Sequence, residues 1–216
     1  MKILAFDTCL DKMYVALGED GKILDSQIIE TTKEHYHSAF LISTITNILK
    51  ENGLTPQGID AIATNIGPGS FTGIRACTTV ARVFAQAASI KAIGISSLEI
   101  LSKINKTDKK TLVALDARKD MAYVAIFDGG VQILAPQAIL LVDLKEIIAK
   151  DDYFVVTDDK LEPILGGISY QKQSDNLGEA LIQIASEKIN SEIEADWKKL
   201  LPLYIQPAAV NIKANK

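Results

Sequence analysis

The sequence has little histidine, little cysteine and no concentrated positive charge. Its 216 residues include two histidines and two cysteines, Cys9 and Cys77, and the formal net charge is −4. Two cysteines are too few for a disulfide framework, and no CxxC pair suggests a zinc-ligand set, so we expect reduced thiols. No run of lysine and arginine is long enough to hold a phosphate backbone alone. The composition therefore argues against a protein that binds nucleic acid without a partner.

Long apolar runs are also missing. The first run, Ile3–Phe6, ends at Asp7 and is too short for a signal peptide or a membrane span. We therefore predict a cytoplasmic protein with no membrane segment. With 48% hydrophobic and 23% charged residues, the chain has material for one large domain or two small ones.

An internal repeat is the most informative feature that is present. Residues 3–24 align with residues 112–133 without a gap. The identical pairs are Ala5 and Ala114, Asp7 and Asp116, Asp11 and Asp120, Tyr14 and Tyr123, Val15 and Val124, Ala16 and Ala125, and Gly21 and Gly130. Chance similarity between two hairpins is the alternative, but this many identities favour two related lobes.

Each copy predicts a three-stranded antiparallel meander, with Gly-containing turns before the third strand. Helices and strands then alternate, which suits a mixed sheet with helices on its faces. Further helices are predicted at about Lys33–Asn52, Thr72–Ala88, Val142–Ala149 and Leu177–Asn190, and strands at Ile59–Thr64 and Tyr153–Thr157. The polar segment Asn105–Lys110 suggests lobes at residues 1–106 and 107–216. This is the α/β architecture of actin-like ATPases (the ASKHA fold), with a smaller second lobe.

A glycine-rich loop lies between the predicted strand Ile59–Thr64 and the following helix. It reads GPGSFTGIR from Gly67 to Arg75 and lacks the lysine of a P-loop. A strand–glycine loop–helix junction can bind an anion through free backbone N–H groups, or it can be a tight turn that packs a helix on a sheet. Both interpretations stay open. The candidate anion or nucleotide residues are Asp7, Thr8, Gly67, Gly69, Ser70 and Asp116.

The glycine loop resembles the signature of the TsaB (YeaZ) family. Weaker matches, in the order the family has them, are Asp7-Thr8, His37-Ser38, Gly94–Glu99, Asp116–Arg118 and Leu201–Tyr204. The resemblance implies a subunit that dimerises with a larger TsaD-type enzyme, which forms N6-threonylcarbamoyladenosine at position 37 of tRNA. It also implies a TsaE-like ATPase as a further partner, a homodimer when the chain is alone, and contact with tRNA only through the complex. Glycoprotease-like relatives explain an alternative assignment as a peptidase.

The sequence offers no catalytic set that we can identify. The catalytic relative binds a metal through H-x-x-x-H, whereas His35 and His37 are two residues apart and would diverge on a helix. No GxSxG motif surrounds a serine nucleophile. We therefore predict no catalytic residues, no metal site and no firmly bound cofactor. An actin-like nucleotide hydrolase or kinase is the alternative, with weak nucleotide binding between Asp7 and Asp116.

The helix predicted at Lys33–Asn52 suggests the partner surface. Leu41, Ile42, Ile45, Ile48 and Leu49 would form its core face, leaving Tyr36 and Phe40 on the other side. A neighbouring helix of the same lobe could cover these aromatic residues. We predict instead that they contact a second subunit. The small residues Ala76, Ala81, Ala85 and Ala88 would allow close approach. The predicted interface comprises Tyr36, His37, Phe40, Ala76, Val80 and Phe84.

Overall fold

A computed structural model describes residues 1–30, 39–173, 177–191 and 193–205. Within these ranges the strands form two five-stranded mixed sheets. The first sheet contains β1 (Lys2–Asp7), β2 (Lys12–Glu19), β3 (Lys22–Glu30), β4 (Ala61–Asn65) and β5 (Lys91–Ile95). The second contains β6 (Thr111–Arg118), β7 (Met121–Asp128), β8 (Val131–Leu140), β9 (Phe154–Thr157) and β10 (Ile168–Ser169). The spatial order of the strands is β3-β2-β1-β4-β5 in the first sheet and β10-β9-β6-β7-β8 in the second.

The two sheets have the same connectivity. In each, the first three strands pair antiparallel, and the fourth pairs parallel with the first. Asp20-Gly21 and Gly129-Gly130 form the corresponding second turns, with the positive φ that such tight turns require. The repeat is therefore structural, and the predicted fold class, two related lobes with mixed sheets and flanking helices as in actin-like ATPases, is confirmed.

Six α-helices connect or cover the strands in the described ranges. They are α1 (Leu41–Glu51), α2 (Phe71–Ala88), α3 (Ser97–Leu101), α4 (Leu141–Ile148), α5 (Glu162–Leu165) and α6 (Leu177–Asn190). The predictions of α2, α4 and α6 are confirmed to within a residue at each end, as are the strands β4 and β9 to within two. The helix predicted from Lys33 is confirmed from Leu41 onward, and residues 31–38 lie outside the described part. The strands β5 and β10 and the short helices α3 and α5 were not predicted from the sequence.

Among the residues that the structure describes, three hydrophobic cores fill the space around the sheets. One lies on the first sheet beneath α1 and α2, and another on the second sheet beneath α4. The third lies between the sheets and includes α3 and α6. Helix α6 packs directly on the first sheet, where a Cβ added at Gly18 would approach Ile182 Cγ2 to 2.5 Å. This core is shared by both halves, and the boundary proposed at residue 106 stays a prediction.

One predicted core residue of α1 is wrong. Leu41, Ile45, Ile48 and Leu49 are buried as expected, but Ile42 is 65% exposed. On a helical projection Ile42 lies at the edge of the apolar stripe, so a small rotation of the helix removes it from the core. Thr44 takes part in the buried face instead and donates its hydroxyl to the Phe40 carbonyl. Ile42 is left facing the neighbouring helix α2.

Candidate functional site

The glycine loop joins β4 to α2 and contacts the segment that follows β1. Ser70 caps α2, with its Oγ accepting a hydrogen bond from Gly73 N at 3.3 Å. The Gly67–Pro68 peptide is cis, and Gly67 has φ of +102°, a conformation that favours glycine. The loop therefore makes the sharp turn that its composition predicts.

The other two glycines of the motif are required by close packing. A Cβ added at Gly73 would overlap the carbonyl oxygen of Thr8, and one at Gly69 would overlap that of Cys9. Ser70 N donates to the Cys9 carbonyl at 2.8 Å, and Thr8 Oγ1 donates to the Gly73 carbonyl at 2.9 Å. These contacts support the tight-turn interpretation of the motif, in which the glycines let β1 and α2 approach one another.

An anion site in this loop gains no support from these contacts. Gly67 N donates to Asn65 Oδ1 at 2.8 Å, and Ser70 N donates to Cys9. Two of the backbone donors that an anion would need are therefore engaged within the protein. Binding of an anion at Gly67, Gly69 and Ser70 stays a prediction.

Asp7 ends β1 in a buried polar network and is only 2% exposed. Its Oδ1 accepts from Cys9 N at 2.5 Å and its Oδ2 from Asn65 Nδ2 at 3.0 Å. Ser97 Oγ donates to Asn65 Oδ1 at 2.9 Å, so Asn65 connects the ends of three neighbouring strands. Burial raises the pKa of Asp7 to about 6, because removal from water disfavours the charged form more than these hydrogen bonds favour it.

Two thiols lie beside this carboxylate. One carboxylate oxygen of Asp7 and the sulfurs of Cys9 and Cys77 are all within 4.8 Å of one another, and all three residues are buried. We call these three residues the thiol cluster. Thr8 N donates to Cys77 Sγ at 3.1 Å, which ties the end of β1 to α2. Burial raises the pKa of the Cys9 thiol well above its ordinary value, with the neighbouring Cys77 adding to the effect. Sequence spacing gave no signal of this cluster, because its members come from distant parts of the chain.

The equivalent aspartate of the second lobe has different surroundings. Asp116 Oδ2 accepts from Lys160 Nζ at 2.7 Å, and its Oδ1 accepts from Arg118 N at 3.0 Å. Burial acts to raise the pKa of Asp116, but the hydrogen bonds from Lys160 and Arg118 outweigh it and the pKa is lowered. Thus the two aspartates expected to flank a nucleotide are engaged within the protein: Asp7 buried, and Asp116 paired with a lysine. Nucleotide binding between them stays a prediction.

An apolar groove of about 720 Å³ lies between α1 and α2. Val83 at 61% and Ile42 at 65% are its most exposed large apolar residues, and Val80 and Phe84 are half-buried along it. We call this the α1–α2 groove; its apolar lining includes Ile42, Ile45, Leu49, Leu54, Val80, Val83, Phe84 and Ala88. Two residues of the predicted interface, Val80 and Phe84, therefore line one open surface.

Other residues of the predicted interface have mixed outcomes. Phe40 precedes α1 and is 38% exposed, while Ala76 is half-buried near the start of α2. The prediction that Ala81 and Ala85 permit approach of a second subunit is wrong, because both are fully buried in the core beneath α2. Tyr36 and His37, together with His35 and the question of a histidine metal pair, lie outside the described residues.

The segment after α6 returns to the glycine loop, which the sequence analysis did not anticipate. Leu203 N donates to the Ile66 carbonyl at 2.8 Å. The Arg75 guanidinium lies 3.9 Å from the centre of the Phe71 ring, and its Nε donates to the Tyr204 hydroxyl at 3.3 Å. The motif pieces at Gly67–Arg75 and Leu201–Tyr204 thus form one contiguous surface. No helix among the described residues combines the length and apolarity needed to cross a membrane.

Comparisons with known proteins agree with this architecture. The family model of TsaD, tRNA N6-adenosine threonylcarbamoyltransferase, matches residues 23–144, more than half of the chain. The tRNA threonylcarbamoyladenosine biosynthesis protein TsaB of Bacillus subtilis (strain 168) is 28% identical over 157 residues, covering 70% of this chain and 68% of the relative. TsaB of Escherichia coli (strain K12) is 32% identical over 128 residues, covering 58% of this chain and 54% of the relative.

Solved structures extend the likeness over nearly the whole chain. YeaZ from Pseudomonas aeruginosa superposes with a TM-score of 0.74 at 23% identity, covering 94% of this chain and 99% of that one. A second Pseudomonas aeruginosa structure, of a protein similar to the peptidase YEAZ, gives a TM-score of 0.76 at 23% identity, covering 95% and 99%. The chain belongs to the family that the TsaD model describes and, within it, to the TsaB (YeaZ) group.

Proposed function

We propose that this chain is a non-catalytic subunit that dimerises with a larger TsaD-type enzyme and supports formation of N6-threonylcarbamoyladenosine at position 37 of tRNA. The names of its TsaB relatives and the match to the TsaD model support a role in this modification. The observation that carries the partner role is the α1–α2 groove. A TsaE-like ATPase would join the complex, tRNA would be held through it, and a homodimer would form when the enzyme is absent.

The groove has the shape and chemistry for a helical partner. Two adjacent helices leave a groove between them, and the side chains of a third helix can pack into that groove. Its exposed members Ile42 and Val83 are large and apolar, and burying such a side chain contributes about 1.5–3 kcal/mol. Polar residues, including Thr46 and Lys50, also line the groove, as in interfaces with a hydrophobic centre and a polar border.

The absence of catalysis in this subunit is supported by how its acidic residues are used. Asp7 is buried against Asn65 and the backbone, and Asp116 is paired with Lys160. The Asp7 carboxylate is buried, and the partly exposed carboxylate of Asp116 forms an ion pair with Lys160. In this proposal the chemistry therefore belongs to the partner enzyme.

Substitution in the groove tests the proposal, with a matched control on another helix. We expect Val83→Asp to weaken binding to the TsaD-type enzyme of the same cell by at least about 100-fold, or about 2.7 kcal/mol, since it removes apolar contact and places a charge in the interface. Val142→Asp is the control, because Val142 lies on α4 and is 63% exposed, close to the 61% of Val83.

Affinity is measured by isothermal titration of the purified subunits, and modification by the threonylcarbamoyladenosine content of tRNA in a reconstituted reaction. Circular dichroism melting first establishes that both variants are folded. Loss of binding in Val83→Asp together with loss of tRNA modification supports the proposal. Unchanged affinity in a folded Val83→Asp protein would refute the groove as the partner surface.

A further inference from the structure

We propose that the thiol cluster of Asp7, Cys9 and Cys77 is a binding site for a thiophilic divalent cation, with Zn²⁺ as its ion. The proposal is independent of the partner role, because it rests only on side chains buried within this chain. Two cysteine sulfurs and a carboxylate oxygen form a ligand set that zinc accepts, and all three atoms already lie within 4.8 Å of one another.

The backbone brings these ligands together without large rearrangement. Around tetrahedral zinc, with zinc–sulfur bonds of about 2.3 Å, two sulfurs are about 3.8 Å apart. The two sulfurs lie within 4.8 Å of one another, so they must approach by about 1 Å or less to reach this separation. Side-chain rotation can supply a movement of this size. Gly73 permits the close approach of α2, since a Cβ there would also lie 3.1 Å from Cys9 Cα. Cys77 follows one helical turn later and is hydrogen-bonded from Thr8 N.

The charge of Asp7 gives a second reason for a cation. A buried carboxylate is costly unless it is paired with a cation or coordinates a metal. The groups that hydrogen-bond to Asp7 are neutral: the Asn65 amide, the backbone N–H groups of Cys9 and Leu10, and the Cys9 thiol. A divalent ion would supply the opposite charge at a position where Asp7 is 2% exposed.

The second copy of the repeat offers an internal comparison. There the matching aspartate, Asp116, is neutralised by Lys160 at 2.7 Å. Arg118 occupies the position equivalent to Cys9, so the second copy has no corresponding thiol ligand. The two lobes share a scaffold but balance the charge of the equivalent aspartate in different ways. In the second lobe the cation is Lys160, and in the first it would be the bound ion.

Ion binding replaces thiol protons and ties two elements together. Zn²⁺ bonds to both sulfurs as their two protons pass to solvent, and the Asp7 carboxylate supplies the third protein ligand. A water molecule or another protein oxygen would complete four-coordination. The bound ion would connect the end of β1 to α2, so it should stabilise the folded chain.

Metal binding by the full chain tests the proposal directly. The protein is unfolded with chelator and reductant, freed of both, and refolded with either Zn²⁺ or Co²⁺, because buried ligands require the ion to be present during folding. We expect one equivalent of zinc per chain by plasma mass spectrometry, a rise in melting temperature, and thiolate-to-cobalt charge-transfer absorption in the near ultraviolet.

Variants identify the ligands. The double variant Cys9→Ala with Cys77→Ala should lose the cobalt absorption and the equivalent of zinc, and Asp7→Asn should weaken zinc binding at least about 10-fold. Asp116→Asn, the matched position of the second lobe, should bind as the unaltered chain does. Absence of the cobalt–thiolate absorption in the folded, unaltered chain would overturn the proposal even if every variant failed to fold. Equal zinc binding after removal of both cysteines would overturn it as well.

Discussion

Replacing Gly73 with alanine tests whether the glycine motif is a packing device. In an ordinary helix Gly→Ala is stabilising by about 1 kcal/mol. Here the new Cβ would overlap the carbonyl oxygen of Thr8, and both groups are attached to backbone that cannot simply rotate away. The segment after β1 and the start of α2 would have to separate, so the sign of the effect should reverse.

The size of the loss follows from the contacts at this junction. Separation would break the bonds from Ser70 N to the Cys9 carbonyl and from Thr8 Oγ1 to the Gly73 carbonyl. Each such bond contributes about 1 kcal/mol, and overpacking a core costs about 1–3 kcal/mol more. After subtracting the gain in helix propensity, we expect Gly73→Ala to lower the free energy of unfolding by about 2–4 kcal/mol.

Urea denaturation followed by circular dichroism measures this change. Thr79→Ala is the control, because Thr79 is exposed on the same helix and its replacement should shift the free energy of unfolding by only about 0.5 kcal/mol. If Gly73→Ala is as stable as the unaltered chain, the close approach of β1 to α2 is not what the glycine provides, and the anion interpretation of the loop becomes the stronger one.

Two further predictions concern the acidic residues. The pKa of Asp7 is raised to about 6 from 3.8, so its contribution to stability is fully present below pH 3.8 and is lost as the pH rises through 6, by about 3 kcal/mol in total. In metal-free buffer with chelator, the unaltered chain should therefore become more stable relative to Asp7→Asn as the pH falls from 7 to 5. A difference in unfolding free energy that does not change with pH would contradict this. Titration with ATP and Mg²⁺ should give no micromolar affinity, because Asp116 is held by Lys160 and Asp7 is buried; micromolar binding with phosphate release would favour the nucleotide hydrolase instead.

Local patterns predicted most of the strands and the four longest helices because the causes of these elements are local. The second turns of the meanders contain Asp20-Gly21 and Gly129-Gly130, which adopt the positive φ that the composition suggests. Helix α6 was also identified from its residues alone. Its location on the first sheet was not, because the complementarity of Gly18 and Ile182 depends on residues far apart in sequence.

The candidate sites were likewise predictable from the sequence only where their features have local causes. The glycine loop was found from its motif, but the sequence left open whether the glycines bind an anion or permit packing, and only the contacts with Thr8 and Cys9 favour packing. The thiol cluster was missed because Cys9 and Cys77 converge through the pairing of β1 with β4 and the placement of α2. Ile42 was misplaced because a residue at the edge of an apolar stripe can face a core or a groove.

Helix α2 contributes to the glycine motif, the thiol cluster and the α1–α2 groove, because its two faces make different contacts. Its buried face includes Gly73, Cys77 and Ala81, which fix the helix to the end of β1 and to the first sheet. Its opposite face exposes Thr79, Val83 and Ala87 at four-residue intervals, and these residues line the α1–α2 groove. A motif that looks like a phosphate loop thereby sets the position of the proposed partner surface. Changes on the buried face should affect the partner only through folding, whereas changes on the groove face should affect binding in a chain that remains folded.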